Sequence, residues 1–494
     1  MKKIFVAFAL LNVLIGCKTE NKNWDITIEG VTSSSSSQVE DLNGDGIKDI
    51  VLGAGGVEWE KTERGIIAIS GADGKILWSA KARNQIVGSA VFLDVNNDKI
   101  PDVIIGGRSA ELKALNGKNG EIIWEFYTKK HKFASVEDGW FNFYNPQIVL
   151  DQDNDQIADL LIANGGNALL PAGFKDRPAG KLLLISGKTG QILAEDLMPD
   201  GSETYFSPVC FDCETSPNPT FLFGSGGETQ KGHLYLISLD QLKQKALKSA
   251  IVLDSSATKG YISPPILADF TGDSVLDIVV NLVEGITKLI DGKTLKVLWS
   301  VHCDQAEVYS QPAVGNFYGN DQIPDVLVNF SIGTFPIYQK AKQWLIDGKT
   351  GKVVRNFEEK RFTYSSPLVA DLNQDGIDEV ILNTVKDSLV NAKSKPYYQL
   401  TVFDFKHNSK SYLATRKSGA CFASTPYLGD LDNDGTLDIV YSGNPTIISE
   451  FPGNTSYQNP DLRLFVHRIE IDHIPSKVVK WGNYLGHQQR SKVD

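Results

Sequence analysis

The chain has 494 residues and carries 49 basic against 60 acidic side chains, a formal net charge of −11. That balance argues against a nucleic-acid partner, and beyond residue 17 no window approaches the ~20 apolar residues of a membrane span. Five cysteines are too few for a disulfide scaffold in a chain of this length.

Residues 1–17 read as a secretory signal, with Lys2 and Lys3 ahead of an apolar stretch from Ile4 to Val13. The ending Leu14-Ile15-Gly16-Cys17 resembles a bacterial lipoprotein lipobox. The resemblance implies a signal peptide over 1–16, Cys17 as lipid anchor and a tether over 17–23. It also implies membrane attachment through the lipid alone. Lys18 after the cysteine favours an outer-membrane lipoprotein facing the periplasm or the cell surface. The remainder, 24–494, reads as a single domain.

An acidic nine-residue loop then recurs along the chain. Asp41, Asn43, Asp45 and Asp49 take positions 1, 3, 5 and 9 of the first copy, and the apolar run Ile50 to Leu52 follows. The second copy places Asp94, Asn96, Asp98 and Asp102 in the same way, and the third Asp151, Asp153, Asp155 and Asp159. Two copies have decayed: Asp212 to Thr220 keeps the length but loses most charge, and Asn316 to Asp325 has one residue more. Between and after them come Asp269, Thr271, Asp273 and Asp277, then Asp371, Asn373, Asp375 and Glu379, and last Asp430, Asp432, Asp434 and Asp438. Alternate side chains of so tight a turn converge on one point, and hard oxygen donors in that array suit Ca²⁺. An EF-hand loop would continue to a Glu at position 12 and enter a helix, whereas a β-type run follows here. The six good loops hold twenty carboxylates at ligand positions, so six Ca²⁺ would bring the chain from −11 to about +1. The acidity is largely internal. Successive loops start 47 to 61 residues apart, a period that marks a repeat architecture.

Each repeat has the same parts. A short strand led by a small residue and Pro precedes the loop, as at Ser207-Pro208, Gln311-Pro312, Ser366-Pro367 and Thr425-Pro426. Ser33 to Ser37 fills this place in the first repeat. After the loop come a β run, a third strand, a Gly-rich turn and a fourth strand often closed by Trp, as in Asn116 to Trp124 and Asp291 to Trp299. The fourth repeat replaces that turn with Leu239 to Ala250, a place for a short helix. Four strands in about 55 residues, eight times over, predict an all-β, eight-bladed β-propeller of four-stranded antiparallel blades, with seven blades as the alternative. The loops with their flanking strands resemble FG-GAP and VCBS-type calcium repeats of integrin α-subunit propellers. The Gly-rich turns resemble blades of quinoprotein (PQQ) dehydrogenases and of propeller lipoproteins in outer-membrane assembly. The first resemblance implies structural Ca²⁺, about five or six ions. Two segments compete to close the last blade, Trp24 to Ile28 and Val478 to Trp481, and the N-terminal one is preferred.

The chain carries little sign of catalytic chemistry. The seven histidines show no metal-ligand spacing, and no nucleophile-elbow, zincin or phosphate-loop motif is present. The vicinal cysteine pair of quinoprotein dehydrogenases is lacking. Cys210 and Cys213 bracket the start of the decayed fourth loop and read as two buried thiols or one structural disulfide. Trp78, Trp124 and Trp299 recur at one structural position, which is packing. The variable segments leading into the first strands gather at one mouth of the channel and carry the ligand-binding candidates Trp140, Glu203, Glu307 and Arg361. The reading is a non-catalytic ligand- or protein-binding module, with an envelope protein or glycan as partner. The rival is a quinone-dependent or polysaccharide-acting enzyme using the channel mouth.

Overall fold

The computed structural model describes residues 22–493 apart from 57–58, 127–138, 168, 172, 320, 322, 336, 387–395, 422, 446–460 and 487–488. Cys17 and the whole signal segment lie outside the described residues. The strands form eight antiparallel sheets, each built on four strands in up-and-down order. Blade 1, for example, runs Gln38–Glu40, Asp49–Gly53, Thr62–Ile69 and Ile76–Ala82 from the axis outward. The propeller has eight blades.

Core packing lies between blades. One apolar layer joins Val51, Ile66 and Trp78 of the first blade to Val103, Ile105 and Leu115 of the second, and similar layers follow around the ring. A second strand touched on both faces has no polar side to show. Asp49–Gly53 and Asp102–Gly106 are accordingly buried at every residue. Outer strands alternate instead, as Ile76–Ala82 does.

Two repeating hydrogen bonds connect neighbouring blades. The indole Nε1 of Trp78 donates to Gly117 O at 2.6 Å, and Trp124 reaches Gly187 O at 2.8 Å and Trp299 Gly348 O at 2.7 Å. Each ring lies over the glycine turn of the next blade; a Cβ at Gly190 would sit 2.5 Å from the Trp124 ring, and φ there is +70°. Only glycine fits. Nearer the axis, the small residues that lead into the strands form a belt. Thr425 N donates to Ser36 Oγ, Ser36 N to Ser89 Oγ, Ser89 N to Asn145 Oδ1 and Asn145 N to Ser207 Oγ. Gln311 N to Ser366 Oγ and Ser366 N to Thr425 Oγ1 continue it. The belt explains why a hydroxyl so often stands at this register.

Ring closure is made by both ends of the described chain. Trp24–Glu29 pairs antiparallel with Arg463–Pro475 and becomes the outer strand of blade 8, where Trp24 Nε1 donates to Gly71 O of blade 1 at 2.9 Å. The rival segment, Val479–Trp481, has a different place: it pairs with the innermost strand of blade 7, Leu368–Ala370. From there the described residues of 482–493 run through the centre. Gly482 O accepts from Leu428 N of blade 8, and Asn483 Nδ2 donates to Gln38 Oε1 of blade 1. Gln489 bonds Ala90 O, Asn145 and Gln147 in blades 2 and 3. Leu485 N and Ser491 Oγ both bond the Gln311 side chain of blade 6. Ser491 and Val493 pair with Leu267 of blade 5, beside Pro264, where the belt lacks a hydroxyl. The axial channel is filled by this segment.

Two local features settle open readings. Cys210, at the end of the first strand of blade 4, forms a disulfide with Cys213 in the fourth loop. The fourth blade carries a short helix, Leu239–Lys243, between its third and fourth strands.

Candidate functional site

The topology divides the polar residues between two faces. Loops between first and second strands, and hairpins between third and fourth, share one face. Segments leading into each blade, and loops between second and third strands, share the other.

On the first face the position-9 acids are structural knots. Asp49 accepts from Leu42 N of its own loop at 3.0 Å and from Gly71 N of the hairpin at 3.2 Å. Asp102, Asp159 and Asp277 make the same pair of bonds, and Glu379 accepts from Leu372 N and Asn373. Burial pushes Asp49, Asp159 and Asp438 up to about 6 and Glu379 up to about 7. The position-1 acids are half-buried and accept backbone N–H groups of their own turn, Asp41 from Gly44 and Gly46, and Asp151, Asp269, Asp371 and Asp430 likewise. Asp94 receives Asp98 N and Lys99 N. Positions 3 and 5 complete the turns through Asn43, Asp45, Asn96, Asp153, Asp155, Asp273, Asn373, Asp375 and Asp434. Thr271 sits at position 3 of its loop, its N–H bonded to Asp269 and Asp277. Carboxylate oxygens of Asp151, Asp153 and Asp159 approach one another within 4.8 Å, as do those of Asp430, Asp432 and Asp438. Such donor sets fit a divalent cation. The eighth loop differs, because Arg468 Nη2 lies 2.6 Å from Asp432 and Lys22 Nζ 2.8 Å from the same carboxylate.

On the opposite face, the predicted ligand residues are placed differently than expected. Trp140 is only 6% exposed. Its ring meets Phe126 edge-on at 5.1 Å, and Lys181 Nζ stands 3.6 Å over its face. Phe141 and Phe143 are buried too, since adjacent rings gain more from the layer between blades than from a wet mouth. Glu203 and Glu307 are also buried, at 0% and 3% exposure, and each is committed to internal partners. Arg361 begins a two-residue strand beside Glu379–Lys386, and its side chain lies outside the described residues.

The two glutamates nevertheless build matching clusters. Tyr205 Oη donates to Glu203 Oε2 at 3.0 Å, with Arg177 Nη1 3.2 Å from the same oxygen. Tyr309 Oη donates to Glu307 Oε2, also at 3.0 Å, and Lys259 pairs with Oε1. Tyr338 Oη and Phe335 N complete the second cluster. Burial raises the Glu203 carboxyl pKa against the pull of Arg177, and raises the tyrosine pKa values, leaving the hydroxyls neutral donors. Glu228, half-buried on the loop after Gly226 and Gly227, interacts electrostatically with both clusters; burial, then Glu307, push its carboxyl up.

A signal for this site is present in the sequence. Counted back from the first position of each loop, the seventh residue is Tyr in four blades: Tyr144, Tyr205, Tyr309 and Tyr364. All four are half-buried, and they meet in pairs, Tyr144 with Tyr205 at 6.1 Å and Tyr309 with Tyr364 at 5.3 Å. The same register holds Ala423, Ser34 and Val87 in blades 8, 1 and 2. The mouth has an aromatic, acidic side and a side of smaller residues. Arg177 and Glu228 lie on loops without a repeat pattern, so only the structure brings them in.

Solved structures of similar shape include a europium-containing methanol dehydrogenase, at TM-score 0.53 and 11% identity over 90% of this chain and 92% of that one. The Dos1 propeller matches at TM-score 0.52 and 12% identity, over 90% of this chain and 94% of that one. Rhamnogalacturonan lyase YesW matches at 0.53 and 12%, over 90% and 75%. These likenesses show the propeller fold alone. Protein FAM234B of Homo sapiens is 20% identical over 377 residues, which cover 70% of this chain and 56% of that protein. This chain thus spans about half the length of its curated relative. That relative is a eukaryotic protein, and the expected bacterial outer-membrane lipoprotein address is withdrawn. A Lys-led apolar run ending in Cys is too short a pattern to fix a compartment against it. Residues 64–374, more than half the chain, match the model of the FAM234A/B beta-propeller, and the chain belongs to that family.

Proposed function

We propose that the chain is a non-catalytic binding module that captures a protein partner at its tyrosine-rimmed mouth. The observation that carries this reading is the repeated tyrosine of blades 3, 4, 6 and 7, half-buried above a base of internally paired acids. Four amphipathic rings on one side of a mouth supply contact area at small entropic cost, a composition favoured at protein interfaces. The filled axis supports the same reading. The described residues of 482–493 lie at the centre, and a buried cofactor on the axis would have to displace them. The acidic loops serve structure in this proposal, holding Ca²⁺ between paired strands as FG-GAP-type repeats do.

The test is capture by the immobilised protein, repeated with Tyr309→Ala plus Tyr364→Ala and with Asp45→Asn on the opposite face. Loss of the captured protein in the tyrosine variant alone supports the reading. Equal capture by all three forms overturns it, and a bound glycan in place of a protein changes the partner class.

A further inference from the structure

We infer that the mouth recognises a basic side chain of its partner, a lysine ammonium or an arginine guanidinium, through Glu228 and the Glu203 cluster. This rests on the reading of the mouth as the binding surface. Three acids act there, Glu203, Glu228 and Glu307, together with the cations Arg177, Lys259 and, beside Tyr144, Arg108. Arg177 is spent on Glu203 and on the carbonyls of Asn167, Pro171 and Phe174, and Lys259 is spent on Glu307. Glu228 itself has no hydrogen bond or ion pair among the described residues, and Lys259 and Arg177 act on it only at a distance.

A second observation points the same way. Glu203 accepts Tyr205 and Arg177 through Oε2 alone, while Oε1 is buried with no hydrogen-bond partner. That oxygen faces the glycine turn leading into Glu228, since a Cβ on Gly227 would lie 3.4 Å from it. A buried carboxylate oxygen without a donor costs free energy that a ligand donor can return. The region therefore holds one acid without a direct cation partner and one buried oxygen without a donor. A primary ammonium or a guanidinium serves both at once.

Hydrogen–deuterium exchange of segment 225–232 tests the inference, with excess Ca²⁺ present to occupy the acidic loops of the other face. The probes are tetralysine, its fully ε-acetylated form and tetraglutamate. Tetralysine is expected to protect the segment, with affinity falling at least about tenfold in Glu228→Gln. The acetylated peptide should leave it unprotected. Equal protection by the acetylated peptide, or protection by tetraglutamate, overturns the cation inference while the mouth remains a binding surface. No protection by any probe overturns both. Glu228→Gln should melt with the parent protein, and Glu228→Asp, which keeps the charge, should retain most of the protection.

Discussion

Arg468 Nε donates to Asp438 Oδ1 at 3.0 Å, from a guanidinium that is 1% exposed to a carboxylate that is fully buried. The same guanidinium reaches Asp432 and donates to Gly71 O of blade 1 at 2.9 Å. The eighth loop has four carboxylates, as many as any other, and it holds a cation of its own chain. Of the six good loops it should fill with Ca²⁺ last, and elemental analysis at limiting metal would order them. Arg468→Leu leaves buried carboxylates unpaired and should cost about 3–5 kcal/mol without metal. Added Ca²⁺ should restore part of that loss in the variant. An unchanged melting temperature in the variant would remove the argument.

Removing calcium should lower the melting temperature of the parent protein. Binding to the folded state alone stabilises by mass action, by about 2.7 kcal/mol per site at one hundred times Kd. The third loop, where Asp151, Asp153 and Asp159 converge, offers the most complete donor set. Asp155→Asn should reduce the calcium-dependent rise in melting temperature without changing the chelated baseline. A baseline that moves as far as the calcium form would assign Asp155 a purely structural part.

Gly190→Ala should be among the most disruptive single-methyl additions in the ring. The new Cβ meets the Trp124 ring at 2.5 Å, and φ stands at +70°. Left-handed strain and overpacking together should cost about 2–4 kcal/mol in urea unfolding. Trp124→Phe removes the bond to Gly187 O, and adding it to Gly190→Ala should relieve part of the clash. Strict additivity of the two changes would mean that ring and glycine do not press on each other.

The seam between the N-terminal strand and blade 8 should weaken in acid. His467 is bonded to Asp25 through Nδ1 and to Tyr398 Oη through Nε2 at 2.7 Å, with the Tyr441 ring 4.7 Å away. Burial lowers its pKa from 6.5 to about 4, and the positive Lys417 nearby adds to that. Unfolded chains therefore bind a proton there that folded chains do not. The neutral imidazole's contribution is complete above about pH 6.5 and is lost as pH falls toward 4, on the order of 2–3 kcal/mol. His467→Gln should flatten that part of the stability profile. A profile of the same steepness in the variant would place the acid sensitivity elsewhere.

Deleting residues 482–494 should lower both stability and cooperativity. The segment bonds inner strands around the ring, including blade 5, where the serine belt is interrupted. Losing the nine bonds named above at ~1 kcal/mol each is comparable with the whole stability of many domains. Denaturant unfolding should broaden or shift to a much lower midpoint. An unchanged midpoint would make the segment a passive filler.

The order of strands, the number of blades and the acidic face were legible in the chain because they repeat. Each blade is a local unit, and a loop every 47 to 61 residues states its boundaries eight times. Closure by Trp24 was legible for the same reason, since it stands at the register of Trp78 and Trp124. Whatever occurs once was not legible. Trp140 read as a ligand residue at the channel mouth, yet the layer between blades took its ring. Val479 to Trp481 looked like an outer strand, yet the outer edge was already covered by the N-terminal strand and the segment paired at the axis. Arg177 and Glu228 come from loops far apart in the chain, and Arg468 from a strand whose pattern hides a charge. Local period and turn chemistry dictate the repeat, but a buried ion pair is settled only when the closed ring decides which charges share a place without water.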